Sequence, residues 1–392
     1  MSFLLKLSFS STIDLLYSYK VVYDINYTYG INPFSGKVND KIYKGVKKSI
    51  AGKRCRIYDI ITGIEKVIRG GKMKKITAAL AVCVLFLCAF TACSKVQANK
   101  NYILATGGTS GTYYPFGGAM ANIWNTKIDK MNVTAQSTGA SAENLRLISK
   151  GEAEFGIVQN DVLDYAYNGT DMFAGQKLEN LMTIGTLYPE VVQIAATKES
   201  GIKTIADMKG KRVSIGDAGS GVEFNAKQIL EGYGLTFDDI KKSNLSFKES
   251  SDGLQNGTLD ACFVTAGVPN SALQELAVSK GLVLIPVDGS ISDAICAKYG
   301  FYTKTLIPAG TYKGTDSDTS ALAIKATLAV SAKLDTDTVY LITKALFENQ
   351  KDLALSHAKG KELSASSAVT GISIPFHPGA VKYYNEIGLS VK

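Results

Sequence analysis

Two loops rich in glycine and hydroxyl side chains carry the groups of this chain that are best suited to bind a small molecule. One spans residues 106–112 and follows the apolar run 102–105, which predicts a short buried strand. The other spans residues 216–221 and follows the strand-like run 211–215. A loop that joins a strand to a helix N-terminus exposes backbone N–H groups at the carboxyl edge of a sheet, where anionic and polar molecules bind. We therefore predict that the two loops face each other across a cleft and hold a small solute.

The candidate ligand contacts all lie at or just beyond the ends of predicted strands. In chain order they are Gly108, Thr109, Ser110, Gly111, Tyr113, Tyr114, Gln136, Ser137, Thr138, Gly139, Gln159, Asp161, Gly219, Ser220, Gly221, Thr265, Ala266 and Gly267. Simpler interpretations exist: the first loop is also compatible with a plain strand–helix turn, and the segment 136–139 with N-capping of the next helix. Gln159 and Asp161 either accept hydrogen bonds from a ligand amine or act as surface caps.

Motifs for nucleotides, metals and catalysis are missing from the sequence. The first loop lacks the Gly-Lys-Ser/Thr ending of a P-loop, and no CxxC or His/Cys cluster has the spacing of a zinc site. The only histidines, His357 and His377, lie in contexts that favour packing. A serine hydrolase that uses Ser110 or Ser220 is the enzymatic alternative, but it needs a partner base that we cannot place. We predict no enzymatic activity, no metal and no cofactor.

Composition and charge describe a globular protein large enough for two or three domains. The chain has 392 residues, of which 46% are hydrophobic and 20% charged. Its net charge of +8 is concentrated near the N-terminus: residues 1–72 contain 13 Lys and Arg against 5 Asp and Glu, whereas residues 93–392 contain 28 against 30. The near-neutral balance beyond residue 93 gives no electrostatic reason to expect nucleic acid binding there.

A lipoprotein signal peptide is the interpretation we favour for residues 73–92. A basic start, MKK, precedes an apolar run that ends at Cys93. The letters FTAC at the end of this run resemble the lipobox of bacterial lipoproteins, in which the cysteine thiol is diacylated, although Phe90 stands where Leu is usual. The alternative is a transmembrane helix, for which the run is shorter than the ~20 residues that span a bilayer. We predict that Cys93 is lipidated, that residues 93–100 form a tether, and that the protein is exported and anchored at the bacterial cell membrane.

Residues 1–72 precede what we interpret as a terminal signal. They are rich in Tyr, Lys and Ile and have no sustained helical or strand period. We interpret them as a disordered segment or a leader upstream of the true start at Met73, with a small basic domain as the alternative.

The rest of the chain alternates strand and helix signals, which predicts an α/β fold with a mainly parallel sheet and helices on both sides. Residues 321–330 form an apolar run, and residues 336–349 have the pattern of an amphipathic helix. Cys262 lies in an apolar strand-like run and is best explained as a buried thiol. Its spacing from Cys296 does not exclude a disulfide.

Six sequence blocks in order resemble the TAXI-family receptors of tripartite (TRAP) transporters. They read ATGGTSGTYYPFGGAMA, QSTGASAENLRLI, EFGIVQND, DMKGKRVSIGDAGSGVE, ACFVTAGVPN and IPFHPGAVKYYNEIG. Together they cover essentially all of residues 101–392, and ordered blocks over that length are far more specific than a single loop. The sequence departs from the family pattern at Val222, where a Thr is common, which puts ligand contacts at that position in doubt.

This resemblance implies a two-lobed, type II periplasmic-binding-protein-like fold with a ligand cleft between lobes that are joined by two hinge strands. It places one lobe at residues 101–193 and 323–392 and the other at 194–322, with crossings near 191–198 and 321–325. It also implies a membrane permease partner, ion-coupled uptake without ATP, and a small carboxylate or acidic amino acid such as glutamate as the solute. The alternative among binding proteins is a receptor of an ABC importer.

Overall fold

The computed structural model of the protein describes residues 100–287 and 289–391. The predicted leader, signal peptide and lipidation site at Cys93, and all of the tether except its last residue, lie outside these residues. The described residues form one ten-stranded sheet flanked by helices. No described helix combines the length and apolar character needed to cross a membrane.

The strands follow the chain in numerical order. They are β1 Lys100–Ala105, β2 Met131–Gln136, β3 Phe155–Gln159, β4 Leu181–Ala196, β5 Arg212–Ser214, β6 Lys241–Ser243, β7 Ala261–Ala266, β8 Val283–Leu284, β9 Thr303–Ile307 and β10 Thr319–Ser331. The α-helices are α1 Tyr113–Lys127, α2 Ser141–Lys150, α3 Asn160–Asn168, α4 Gly221–Gly232, α5 Phe247–Gln255, α6 Ser271–Ser279, α7 Gly289–Tyr299, α8 Thr336–Glu348, α9 Gln350–Ser356, α10 Ala365–Ala368 and α11 Pro378–Glu386.

The sheet is mixed, so the prediction of a mainly parallel sheet was wrong. The strand order is β2-β1-β3-β10-β4-β7-β5-β6, with β8 added to β4 and β9 to β10. The outer strands pair in parallel, but β4 and β10 run antiparallel to every strand beside them. The reason is topological: β4 carries the chain out of one half of the sheet and β10 brings it back beside β4, in the opposite direction.

The two long strands join two lobes. β4 has 16 residues, which gives it a length of roughly 50 Å at the usual rise of a strand. In the first lobe β10 lies between β3 and β4, and in the second lobe the two strands pair with β7 and β9 instead. The change of partners falls near Pro189, which is paired with Lys325, and a register shift follows at Ala326. This arrangement confirms the predicted two-lobed type II fold, and the predicted lobe boundaries fall within these two strands.

Each lobe has its own apolar core on both faces of the sheet. In the first lobe α1, α8 and α11 pack in one cluster around Trp124 and Phe155, and α2 and α3 pack in another around Leu145. In the second lobe the clusters form around Phe263 and around Leu276. Burial of one such side chain stabilises a fold by roughly 1.5–3 kcal/mol. The apolar core of each lobe therefore holds that lobe's half of the cleft in place.

The structure corrects one predicted detail and agrees with the prediction of a buried thiol at Cys262. The polar residues after β3 were predicted to end the strand at the sheet edge, but Asn160 and Asp161 begin α3 directly. Cys262 and Cys296 are both free thiols, and Cys262 is fully buried. The described residues contain no group of three His, Cys, Asp or Glu side chains placed to bind a metal ion.

Candidate ligand-binding cleft

A cleft between the two lobes brings together parts of both glycine loops. Its empty space, counted out to the solvent-open mouth, is about 480 Å³. The lining residues of the first lobe are Gly107, Gly108, Ser110, Gly111, Thr112, Tyr113, Ala140, Ser141 and Gln159. Glu190 comes from β4, and the second lobe contributes Asp217, Ser220, Gly221, Val222, Phe247 and Thr265.

The first loop forms one wall of the cleft and also ties the lobes together. Its Ser110 carbonyl accepts hydrogen bonds from Asn270 Nδ2 at 3.1 Å and from Ser271 Oγ at 3.0 Å. Thr112 Oγ1 accepts from the backbone N–H of Gly267 at 3.0 Å. These contacts cross from one lobe to the other, so the structure represents lobes that have closed on each other.

The second loop ends in a well-formed helix N-terminus. Ser220 is the N-cap of α4 and accepts from the N–H of Glu223 at 3.3 Å, while the Glu223 side chain accepts from Gly219 N at 2.7 Å. Gly216 and Gly219 have φ values of +86° and +73°, which a residue with a Cβ rarely adopts. The N–H groups at the start of a helix lack intrahelical partners, and the helix dipole is positive there, so this wall favours a negative group.

Gln159 of the first lobe lies directly against this helix start. A Cβ added to Gly221 would overlap the Gln159 side-chain amide, so glycine is what lets the two lobes approach here. The Gln159 side chain is 2% exposed, and its Oε1 atom has no hydrogen-bond partner among the described residues. Since an unpaired buried polar atom costs about 1–3 kcal/mol, this oxygen makes the contact between the two lobes energetically costly.

Glu190 is a buried carboxylate on the strand that joins the lobes. It is 1% exposed, and the Tyr113 hydroxyl donates to its Oε2 atom at 2.6 Å. Burial raises the pKa of Glu190 to about 8; the Tyr113 hydrogen bond opposes this rise, nearby Asp161 adds to it, and Lys359 opposes it. The sequence analysis missed Glu190, although the one charged residue in a largely apolar 16-residue strand was a usable signal.

Asp161 lies behind the cleft and does not line it. Its Oδ2 atom is 3.4 Å from Asn225 Nδ2 of α4, and Asn225 in turn bonds Tyr302 and Thr265. Burial raises the pKa of Asp161 to about 7, against opposing hydrogen bonds from Val162 and Asn225. Asp161 thus belongs to a polar contact between the lobes.

The remaining predicted contacts divide by position. Those that line the cleft are Gly108, Ser110, Gly111, Tyr113, Gln159, Ser220, Gly221 and Thr265. Those that do not are Thr109, Tyr114, Gln136, Ser137, Thr138, Gly139, Asp161, Gly219, Ala266 and Gly267. Several of the second group brace the loops instead: Ser137 Oγ donates to the Gly107 carbonyl, and Thr138 Oγ1 donates to Asn144.

The lining residues that the sequence analysis did not single out are mostly neighbours of predicted ones. They are Gly107, Thr112, Ala140, Ser141, Glu190, Asp217 and Phe247. Val222 also lines the cleft, although its departure from the family pattern had put a ligand contact there in doubt. Phe247 is the first residue of α5. Its ring lies 3.7 Å from the position of a Cβ on Gly111, so it closes the cleft from the second lobe.

Solved structures of three binding proteins are similar to this chain. The periplasmic aliphatic sulphonate binding protein SsuA from Escherichia coli is 16% identical, with 73% of this chain and 83% of that chain covered and a TM-score of 0.42. The alkanesulfonate-binding protein SsuA from Xanthomonas axonopodis pv. citri is 16% identical, with the same coverage and a TM-score of 0.43. A binding protein component of an ABC phosphonate transporter from Pseudomonas aeruginosa is 11% identical, with 68% and 80% covered and a TM-score of 0.44.

A protein-family model shows which family the chain belongs to. The model of the NMT1-like family matches residues 104–388, which run from within β1 to just beyond α11. This range includes both lobes, both long strands and every residue that lines the cleft. The chain therefore belongs to the NMT1-like family.

Proposed function

We propose that this protein is an extracytoplasmic solute-binding receptor of a transporter, of the TRAP (TAXI) type, that captures a small organic acid or acidic amino acid. The single observation that carries the proposal is a cleft between two hinged lobes that is lined by both glycine loops and by the start of α4. The cleft offers hydrogen-bond donors from two glycine loops and one helix N-terminus, which suits a carboxylate. The proposed route of the protein to the cell surface is the lipoprotein signal with its anchor at Cys93.

The fold suggests how capture works. β4 and β10 are continuous through both lobes, so a small bend near Pro189 and Lys325 rotates one lobe against the other. A solute drives closure only if it binds the closed form better than the open form. In the closed form the solute contacts Gln159 and Glu190 on one side and the start of α4 on the other. The closed receptor then docks on the membrane permease.

Two alternative functions are an ABC-importer receptor and a serine hydrolase. An ABC importer uses the same kind of receptor. Permease genes next to this gene indicate an ABC importer if an ATPase gene accompanies them, and a TRAP transporter if none does.

A hydrolase that uses Ser110 or Ser220 needs a base. His357 packs against Phe116 and His377 caps α11, and neither lines the cleft. We therefore propose no catalytic role.

The proposal is tested by native mass spectrometry of the purified protein and a thermal-shift screen of amino acids and dicarboxylates. We expect a bound solute of low mass and one chemical class that raises the melting temperature. At a solute concentration of 100 times Kd, binding stabilises the folded protein by about 2.7 kcal/mol. A protein that carries no solute and responds to none across such a screen contradicts the receptor function.

A further inference from the structure

Asp161 is a buried carboxylate at the contact between the two lobes. It lies at the start of α3 in the first lobe and is 0% exposed. Its Oδ2 atom is 3.4 Å from Nδ2 of Asn225, which belongs to α4 of the second lobe. The backbone N–H of Val162 donates to its Oδ1 atom at 2.8 Å. No Lys, Arg or His of the described residues is bonded to this carboxylate, so its negative charge has no paired cation in the closed form.

The second lobe supplies part of the cover over Asp161. Asn225 Nδ2 also donates to the Tyr302 hydroxyl at 2.8 Å, and the Thr265 hydroxyl donates to Asn225 Oδ1 at 2.9 Å. These three residues of the second lobe are each no more than 4% exposed. When the lobes separate, this cover moves away with α4 and water reaches the carboxylate. The surroundings of Asp161 therefore differ between the open and the closed form.

The charges near Asp161 disfavour its ionised form while the lobes are closed. The titratable groups that face it are two acids and two tyrosines: Asp171, Glu190, Tyr165 and Tyr302. Burial raises the pKa of Asp161 to about 7 against opposing hydrogen bonds, and Asp171 adds a smaller rise. Hydration in the open form returns this pKa towards its ordinary 3.8.

The contact between the lobes also has room for the protonated acid. The amide of Asn225 turns over by rotation about its last side-chain bond, which exchanges its oxygen and its nitrogen. The oxygen then accepts the Asp161 proton, and the nitrogen donates to the Thr265 hydroxyl. Gln228 Oε1 accepts from the Tyr302 hydroxyl at 2.6 Å, and a similar turn lets Gln228 donate to it instead. The same polar groups thus hold Asp161 in either form.

We propose that Asp161 is a proton-dependent switch of lobe closure: the closed form takes up a proton at its carboxyl group, and the open form releases that proton to water. This inference goes beyond the proposed receptor function, since it does not depend on which solute binds.

The direction and size of the effect follow from the two environments of Asp161. Because the closed form binds the proton more tightly, closure is favoured at low pH and weakens as pH rises through about 7. With pKa values of about 7 in the closed form and 3.8 in the open form, the ratio of closed to open molecules falls about tenfold from pH 6 to pH 8. A solute that binds only the closed form loses affinity by up to the same factor.

Hydrogen exchange of the solute-free protein measures closure at a single amide. The Gly267 N–H donates to Thr112 Oγ1 across the lobes at 3.0 Å, so this bond protects it only in the closed form. The amides of α5 lie in the same lobe, and their hydrogen bonds within the helix make them a reference. Mass spectrometry with single-residue fragmentation gives both, after correction for the intrinsic effect of pH on exchange. We expect protection at Gly267 relative to α5 to fall about tenfold from pH 6 to pH 8.

Three variants identify the group that titrates. Asp161→Asn has the shape and the neutral charge of the protonated acid, so the relative protection at Gly267 should stay near its pH 6 level up to pH 8. Asp164→Asn is the matched control on the same helix: Asp164 accepts from Asn168 at an exposed position, and the variant should keep the tenfold fall. Glu190→Gln should also keep it, because Tyr113, the hydrogen-bond partner of Glu190, belongs to the first lobe.

The measurement on the parent protein is decisive without any variant. A relative protection at Gly267 that is constant or rises from pH 6 to pH 8 overturns the proposal. A fall that persists in Asp161→Asn, or that disappears in Glu190→Gln or Asp164→Asn, also overturns it. The receptor function is tested separately by its own solute screen, so its failure is distinguishable from the failure of the switch.

Discussion

Gly221→Ala tests whether the lobes must touch for solute to bind. Gly221 is the first residue of α4, and its added methyl group would overlap the side-chain amide of Gln159 on the other lobe. The helical backbone there accepts alanine without strain. The overlap exists only while the lobes are closed, so the substitution penalises closure and spares the separate lobes.

The size of the effect follows from the cost of overpacking. Forcing an extra methyl group into a packed contact costs about 1–3 kcal/mol, because the neighbour leaves its preferred rotamer or the backbone shifts. If that cost falls on the closed form alone, solute binding weakens by about 5- to 150-fold. The free energy of unfolding without solute should stay within about 0.5 kcal/mol of the parent, since no contact within either lobe is lost.

The assay is calorimetric titration with the solute that binds best, together with chemical denaturation of the solute-free protein. Gly118→Ala is the matched control: it is an exposed glycine within α1, and no atom beyond its chain neighbours and the backbone of its own helix lies within 4 Å of its added Cβ. In a Gln159→Ala background, Gly221→Ala should weaken binding much less, because the overlapping amide is gone. Parent-like affinity of Gly221→Ala, or an equal loss in the Gly118→Ala control, refutes the reasoning.

Three further predictions concern pH, packing and thiol chemistry. The Asp161 pKa of about 7 lies above its ordinary 3.8, so the folded protein keeps this proton longer than the unfolded chain and loses stability as pH rises from about 4 to 7. Asp161→Asn should flatten that part of the melting-temperature profile, and an unchanged profile counts against the assignment. Phe155→Ala, at a fully buried site, should lower the free energy of unfolding by about 3–5 kcal/mol in a denaturation assay. Leu355→Ala, at a side chain that is 87% exposed, should change the free energy of unfolding by less than about 0.5 kcal/mol in the same assay. Because burial raises the pKa of Cys262 to about 12, mass spectrometry after brief alkylation of the native protein should find, of the two described cysteines, label on Cys296 and not on Cys262; early labelling of Cys262 contradicts its burial.

Much of the fold was predictable because its signals are local. Apolar runs of four to six residues that end in glycine and hydroxyl groups depend only on near neighbours in the chain, and they placed both glycine loops and the strands before them. The apolar run 321–330, where a crossing between the lobes was predicted near 321–325, likewise lies within β10. The direction of the central strands was not predictable in this way, since it depends on how the chain returns between the lobes.

The sequence by itself determined the glycine loops, the α/β alternation and the presence of Gln159 at a strand end. Only the tertiary structure decided which polar groups share the cleft: it turned Glu190 into the cleft, placed Asp161 behind it, and moved the segment 136–139 to a bracing position. The physical reason is distance along the chain. A loop or strand forms from residues a few positions apart, but Gln159, Glu190 and Gly221 meet only because β4 and β10 bring two separately packed lobes together.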